Sequence, residues 1–326
     1  MKATILIGDV LERLADIPTG SVRTCVTSPP YWGLRDYGEE EQLGLEATPE
    51  EYVANMVKVF REVWRVLADD GTLWLNLGDS YFAKPKFNYD GKGAGLQDKN
   101  YGTGDTRLGY KQQADHFKNL LANGYKNKDL VGIPWRVAFA LQADGWYLRQ
   151  DIIWAKPNVM PESVRDRCTK SHEYVFLLSK SPRYYYDHEA IKEPVAEVSL
   201  KRAEYGLKTN RESAKAGPDG IAVEEMGSRF VNPTGRNKRD VWFIPTARFK
   251  GAHFAVMPEA LVEPCVLAGS APGDTVLDPF TGSGTVAVVA LRHGRNFVGT
   301  ELNPEYAEIA RERITSDAPM LNEVEM

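Results

Sequence analysis

The feature that most constrains this chain is an alternation of short β-rich runs with longer amphipathic helical patterns, several of the runs closed by an unusual turn. Thr4 to Ile7 runs into Gly8-Asp9, Val22 to Thr27 into Ser28-Pro29-Pro30, and Thr72 to Leu77 into Gly78-Asp79. Further strands are predicted from Trp146 to Trp154, Glu173 to Leu178, Thr275 to Leu277 and Asn296 to Gly299. The spacing predicts helices from Pro49 to Leu67, Pro134 to Ala143, Pro258 to Leu267 and Thr285 to Arg292, with a last one starting near Pro304 after Asn303. In the first of these, Thr48 and Glu51 form a capping box around Pro49, and Val53, Met56, Val57, Phe60, Val63, Trp64 and Leu67 share one face. Such alternation implies an α/β fold, a doubly wound and mostly parallel sheet covered on both faces. Ligands of such sheets bind outside the carboxyl ends of the strands, where the unusual turns fall.

Length and composition set the outer bounds. A chain of 326 residues suits one large α/β domain with an insertion, or two ordinary domains. Hydrophobic residues at 43% and charged residues at 26% disfavour a disordered or fibrous chain. No apolar run approaches the ~20 residues that cross a bilayer. The stretch from Ala3 to Gly8 is broken by Asp9 and Glu12 too early for a secretory core, so a cytoplasmic protein without a membrane partner is expected. Cys25, Cys168 and Cys265 lie far apart, which excludes a disulfide framework and a thiol zinc site. The five histidines include no pair at helical i,i+4 spacing, and no metal is expected.

Charge is unevenly spread. The net charge is −5, yet residues 81–130 hold 9 basic and 5 acidic side chains, and residues 201–250 hold 11 and 6. Two basic segments on an acidic body suit a polyanion bound at a defined face, and on charge alone two solvated loops are an equal alternative. Both are polar and weakly periodic, so 81–130 reads as an insertion. The expected organisation is 1–194 as one half of the main domain, 195–245 as a small recognition region, and 246–326 as the other half.

Two loops carry the chemistry. The first is Asp278-Pro279-Phe280-Thr281-Gly282-Ser283-Gly284-Thr285, between a strand and a helix. Its glycines let backbone approach a ligand, and the helix start adds positive potential. Glu301 closes the next strand, where an acid can accept hydrogen bonds from both hydroxyls of a ribose. This order favours a nucleoside cofactor over a plain tight turn. The second loop is Ser28-Pro29-Pro30-Tyr31. Its prolines fix the backbone, Ser28 Oγ and the Pro29 carbonyl can accept hydrogen bonds, and Tyr31 offers a flat ring. An exocyclic aromatic amine needs acceptors for its hydrogens and a surface for its ring. A buried Pro-Pro turn is the plain alternative for this loop taken alone.

Together the loops resemble the amino-methylating, S-adenosylmethionine-dependent DNA methyltransferases, in their permuted β-group order. There the Ser-Pro-Pro-Tyr type of loop comes early and the cofactor loop late, as Ser28 to Tyr31 and Asp278 to Thr285 do here. Asp151 to Asn158, Arg165 to Arg167 and His172 to Lys180 look like the family's middle segments, and Lys250 to Pro264 like its segment for the cofactor's methionine end. The match covers most of the chain outside 81–130 and 195–240.

The resemblance implies a seven-stranded sheet with the last strand antiparallel, and it implies site roles. S-adenosyl-L-methionine, leaving as S-adenosyl-L-homocysteine, would lie along Asp278, Pro279, Phe280, Thr281, Gly282, Ser283, Gly284 and Thr285. Glu301, followed by Leu302, would hold the ribose, Asp9 the adenine amine, and His253 and Phe254 the methionine end. The family's Pro-Ala-x-Phe-Pro is here Phe254-Ala255-Val256-Met257-Pro258, a departure at that end. Ser28, Pro29, Pro30 and Tyr31 would hold a base flipped out of double-stranded DNA, and basic residues such as Arg236, Lys238 and Arg239 would reach the duplex. The functional partner would be a cognate restriction endonuclease, the alternative being an enzyme that acts alone, and the chain would be a monomer or homodimer.

In this family serine at the position of Ser28 goes more often with cytosine N4, so cytosine N4 is the expected acceptor and adenine N6 the alternative. A non-catalytic DNA-binding protein that keeps the cofactor fold is a further alternative. Cytosine C5 methylation would need a nucleophile such as Cys265, which falls inside a predicted helix and reads as core. A nicotinamide oxidoreductase is disfavoured because the late loop lacks the third glycine of that fingerprint.

Overall fold

The computed structural model describes residues 1–33, 42–82, 118, 120–122, 124–198, 201, 235–247, 256–317 and 323–326. His253 and Phe254, most of the 81–130 insertion and most of 195–234 lie outside the described residues.

Among the described residues nine strands form one sheet: β1 (Lys2–Ile7), β2 (Val22–Thr27), β3 (Leu67–Leu77), β4 (Tyr147–Ala155), β5 (His172–Ser179), β6 (Val241–Phe243), β7 (Thr275–Asp278), β8 (Asn296–Glu301) and β9 (Glu323–Glu325). Their order is β6-β4-β5-β3-β2-β7-β8-β1-β9. Among the described residues the named helices are α1 (Val10–Ala15), α2 (Pro49–Val66), α3 (Ile133–Ala143), α4 (Glu259–Gly269), α5 (Thr285–Arg292) and α6 (Pro304–Asp317). Helices α1, α2 and α3 pack together in one group, and α4, α5 and α6 in another. The mostly parallel, doubly wound sheet read from the sequence is the fold.

Seven strands make its central span, and the three-residue strands β6 and β9 extend its edges. The reversed strand is β5, antiparallel to both β3 and β4, whereas the last strand in the chain, β9, is parallel to β1. Strand β6, from the end of the expected 195–245 region, pairs with β4 and belongs to the sheet. The chain's other compact unit is Tyr186–Asp240. Within it, Glu193 and Arg236 exchange backbone hydrogen bonds of 2.9 Å.

Local sequence explains most elements. Thr48 accepts from the Glu51 amide at 3.2 Å and starts α2, whose buried face is Tyr52, Met56, Val59, Phe60, Val63 and Val66. Leu67 turns from helix to extended backbone, and β3 begins there at once, five residues before the predicted start. The reason is pairing: Leu67 lies opposite Val22, and a register shift before Thr24 absorbs the extra residues. Helix α1 lies outside the predicted set; Asp9 creates it by accepting from the Leu11 and Glu12 amides at 2.9 and 3.1 Å. The core beneath is apolar, with Ile5, Leu73, Leu75, Val137, Phe176 and Leu277 fully or almost fully buried.

Candidate active site

Register brings the distant loops together. Ile7 lies opposite Glu301, Asp278 opposite Gly299, Cys25 opposite Leu277, and Thr27 opposite Leu75. The carboxyl ends of β1, β2, β3, β7 and β8 therefore share one end of the sheet. Strand β5 runs the other way, so its first residues arrive at that same end: Glu173 lies opposite Trp154, the penultimate residue of β4.

There a cavity of about 240 Å³ opens. Asp9, Ser28, Pro29, Pro30 and Tyr31 line it, as do Asp278, Pro279, Phe280, Thr281, Gly282, Ser283, Thr285, Glu301 and Leu302. Of the expected site residues that are described, Gly284 is not part of this wall. It caps α5 in the left-handed region at φ +75, where a Cβ would stand 3.0 Å from that of Ala310. Its smallness serves the turn and the packing of α5 on α6.

The glycine loop is pinned from below. The Thr281 amide donates to the Thr300 carbonyl at 3.0 Å, and Thr300 Oγ1 donates to the Pro279 carbonyl at 2.6 Å. Glu301 reaches into the loop: Oε2 accepts from the Gly282 amide at 2.8 Å and Oε1 from the Asn303 amide at 3.0 Å. Asp278 is buried, accepting at Oδ1 from Thr27 Oγ1 at 2.6 Å and from the Phe280 amide at 3.0 Å. Burial pushes its carboxyl up to about 7 in spite of those donors. Asp9 spends Oδ1 on capping α1, which leaves Oδ2 turned to no other group among the described bonds.

The proline loop is held as firmly. Tyr52 of α2 donates from its hydroxyl to the Pro30 carbonyl at 2.8 Å. The Tyr31 ring lies against Gly78, where a Cβ would come within 2.6 Å of Cε2, so only glycine admits the ring. Tyr31 Oη accepts from Ser28 Oγ at 3.3 Å and donates to Glu173 Oε2 at 2.8 Å. Burial, and then the Glu173 charge, raise the Tyr31 phenol well above its ordinary value, so it stays protonated.

Several residues of the wall are not among the expected site residues, and Asn76, Trp154, Lys156 and Glu173 are the polar and aromatic group of them beside Tyr31. Lys156 pairs with Glu173 Oε1, and its ammonium lies 4.1 Å from the centre of the Trp154 ring. Their signal exists in the runs ending at Lys156 and starting at His172, but reading it needs the direction of β5. Cys265 is buried in α4, its thiol donating to the Leu261 carbonyl at 3.3 Å, as a core residue would.

Arg236 and Arg239, expected to touch DNA, both reach Glu193 Oε2, at 3.2 and 3.1 Å, within the Tyr186–Asp240 unit. Lys238 lies between them in sequence and is half-buried.

A family model described as DNA methylase, covering N6 and N4 enzymes, matches residues 22–312. The chain belongs to that family. It is a DNA methyltransferase, and its similarity to individual relatives runs along nearly its whole length. It is 46% identical over 315 residues to the Type II methyltransferase M.Cfr9I of Citrobacter freundii, covering 97% of this chain and 88% of that one. It is equally 46% identical over 310 residues to the Type II methyltransferase M.SmaI of Serratia marcescens, covering 95% and 90%. Among solved structures, a DNA modification methylase of Thermus thermophilus, complexed with S-adenosyl-L-methionine, is similar with a TM-score of 0.57, 25% identity and 99% of each chain covered. The PvuII DNA methyltransferase, described as cytosine-N4-specific, shares the fold at a TM-score of 0.59 and 18% identity, over 100% of this chain and 95% of that one.

Proposed function

We propose that this methyltransferase moves a methyl group from S-adenosyl-L-methionine to the exocyclic amine of a base flipped out of double-stranded DNA, with cytosine N4 as the acceptor. The observation that carries the reading is the convergence on one cavity of Ser28 to Tyr31 and Asp278 to Glu301, from opposite ends of the chain.

The residues fit the cofactor. Asp9 and Glu301 put two carboxylates in the cavity wall, suited to a cation. Glu301 would hold the ribose hydroxyls, Asp9 Oδ2 would accept from the adenine amine, and Phe280 would line the cofactor. His253 and Phe254, outside the described residues, would serve its methionine end. When bound, the cofactor supplies a methyl group already activated by its sulfonium charge.

The chain's own residues then align and desolvate the acceptor. Ser28 Oγ and the Pro29 carbonyl accept the two amine hydrogens, which favours a pyramidal, more nucleophilic nitrogen. Tyr31 stacks on the base and offsets part of the few kcal/mol, roughly, that unpairing and unstacking cost. The basic side chains of 195–245 contact the duplex. The acceptor is assigned from Ser28, since serine at this place goes more often with cytosine. The relatives' Type II names support a cognate restriction endonuclease as functional partner and a cytoplasmic location, with the enzyme acting as monomer or homodimer. No helix among the described residues is long and apolar enough to cross a membrane.

Nucleoside mass spectrometry of DNA treated with enzyme and cofactor tests the reading. N4-methylcytosine is the expected product. N6-methyladenine corrects the base alone, and cofactor binding with no methylated base supports the non-catalytic alternative.

A further inference from the structure

A row of hydrogen bonds leads away from the acceptor position, and its donors all point one way. Ser28 Oγ donates to Tyr31 Oη at 3.3 Å, and Tyr31 Oη donates to Glu173 Oε2 at 2.8 Å. Asn76, itself buried, has its Oδ1 3.2 Å from the same hydroxyl, whose single proton goes to the nearer Glu173 Oε2, and its Nδ2 donates to Glu173 Oε2 at 3.2 Å. The second Asn76 amide hydrogen is spent on the Tyr174 carbonyl at 3.0 Å, which fixes the amide's orientation. Lys156 occupies Glu173 Oε1, and the two side chains are only 15% and 17% exposed. The anion at the end of the row is thus enclosed, with a partner on each oxygen.

We propose that Glu173, held by Lys156 and Asn76, is a positioning residue that fixes Ser28 as a hydrogen-bond acceptor for the target amine, acting through the Tyr31 hydroxyl. This rests on the amine-methylating reading above. A serine hydroxyl is both donor and acceptor. Were Ser28 free to rotate, it could donate to the amine lone pair and quench the nucleophile. A Ser28 proton committed to Tyr31 leaves only lone pairs for the amine. Tyr31 can receive that proton because its own is committed to Glu173. Ion pairs as enclosed as Lys156–Glu173 seldom add stability, so the anion's worth here lies in polarising the row. A carboxylate at its end also opposes the positive charge that grows on the amine nitrogen during transfer.

Tyr31→Phe keeps the stacking ring and cuts the row, while Glu173→Gln keeps the shape and removes the charge. In single turnovers with saturating cofactor and DNA, each is expected to slow methyl transfer by about tenfold to a hundredfold. Cofactor and DNA dissociation constants should stay within about twofold, and the emission of a fluorescent base analogue at the target should persist, because capture of the base is untouched. The double variant should be no slower than the slower single one, since both cut the same row. A Tyr31→Phe enzyme with wild-type turnover overturns the proposal, as does strict additivity or a loss confined to base capture. If Glu173→Gln fails to fold, Tyr31→Phe alone decides. Absence of any methylated base from the wild-type enzyme would instead defeat the underlying functional reading.

Discussion

Thr27 Oγ1 donates a 2.6 Å hydrogen bond to Asp278 Oδ1, tying together two residues 251 positions apart in the chain. Thr27 immediately precedes Ser28, and Asp278 opens the glycine loop, so one buried bond sets the spacing of both loops. Thr27→Val keeps the shape and removes the donor. The variant should lose about 1–3 kcal/mol of stability, the usual cost of leaving a buried acceptor short of a partner. Both cofactor affinity and turnover should fall, whereas Thr27→Ser should restore most of each. Urea unfolding with calorimetric cofactor titration checks this. A Thr27→Val protein with one function impaired and the other intact would show that the bond does not couple the loops.

The same carboxyl makes stability depend on pH. Burial raises Asp278 from 3.8 to about 7 in the folded protein. Between those values the folded state holds a proton that the unfolded chain has released. The contribution is therefore fully present below pH 4 or so, and is lost as pH rises through about 7. Three pH units correspond to about 4 kcal/mol at most. Asp278→Asn retains an acceptor for Thr27 and Phe280 and cannot ionise. Measured by urea unfolding without cofactor, its stability relative to wild type should climb between pH 5 and pH 8. A difference that stays flat over that range would place the Asp278 titration elsewhere.

Much of this arrangement is legible in the residues themselves. The turns after β1, β2 and β3 and the glycine loop after β7 announce strand ends, and a parallel sheet gathers strand ends on one side. That logic finds Asp9, Ser28, Asp278 and Glu301. It passes over Glu173, because Glu173 lies at the start of its strand, second after His172, and only the reversed direction of β5 brings it to the cavity. Helix α1, at six residues, and the three-residue strands β6 and β9 are too short to show a period. Asp9 illustrates a further difficulty: a carboxylate before a helix is suited both to capping it and to facing a ligand, and the sequence does not separate the two.

Arg236 and Arg239 share Glu193, so their charge is partly masked before any duplex arrives. Replacing both with glutamate should weaken DNA binding and make it less steep in salt, by about one unit of the log–log slope for each phosphate the protein ceases to neutralise. Glu193→Gln should do the opposite, since it unmasks both guanidinium groups. Fluorescence anisotropy over a salt series measures both. Unchanged slopes in all variants would remove these arginines from the DNA-binding surface.

Gly78 offers a way to disturb the Tyr31 ring without touching Tyr31. A Cβ at Gly78 would stand 2.6 Å from Tyr31 Cε2 and 3.3 Å from the Glu173 carboxyl carbon, so Gly78→Ala must push the ring toward the cavity or displace it. Overpacking of this kind costs about 1–3 kcal/mol. Asp9, Asp278 and Glu301 hold their positions through bonds that do not involve Gly78, so cofactor affinity should change by less than about twofold. Capture of a fluorescent base analogue should be impaired, and turnover should fall by about tenfold or more, as expected for a misplaced positioning group. Adding Tyr31→Ala to Gly78→Ala should bring little further loss, because the ring is already out of place. If Gly78→Ala captures the analogue normally, the ring's seat against Gly78 has no part in holding the base. Tyr31 would then contribute through its hydroxyl alone.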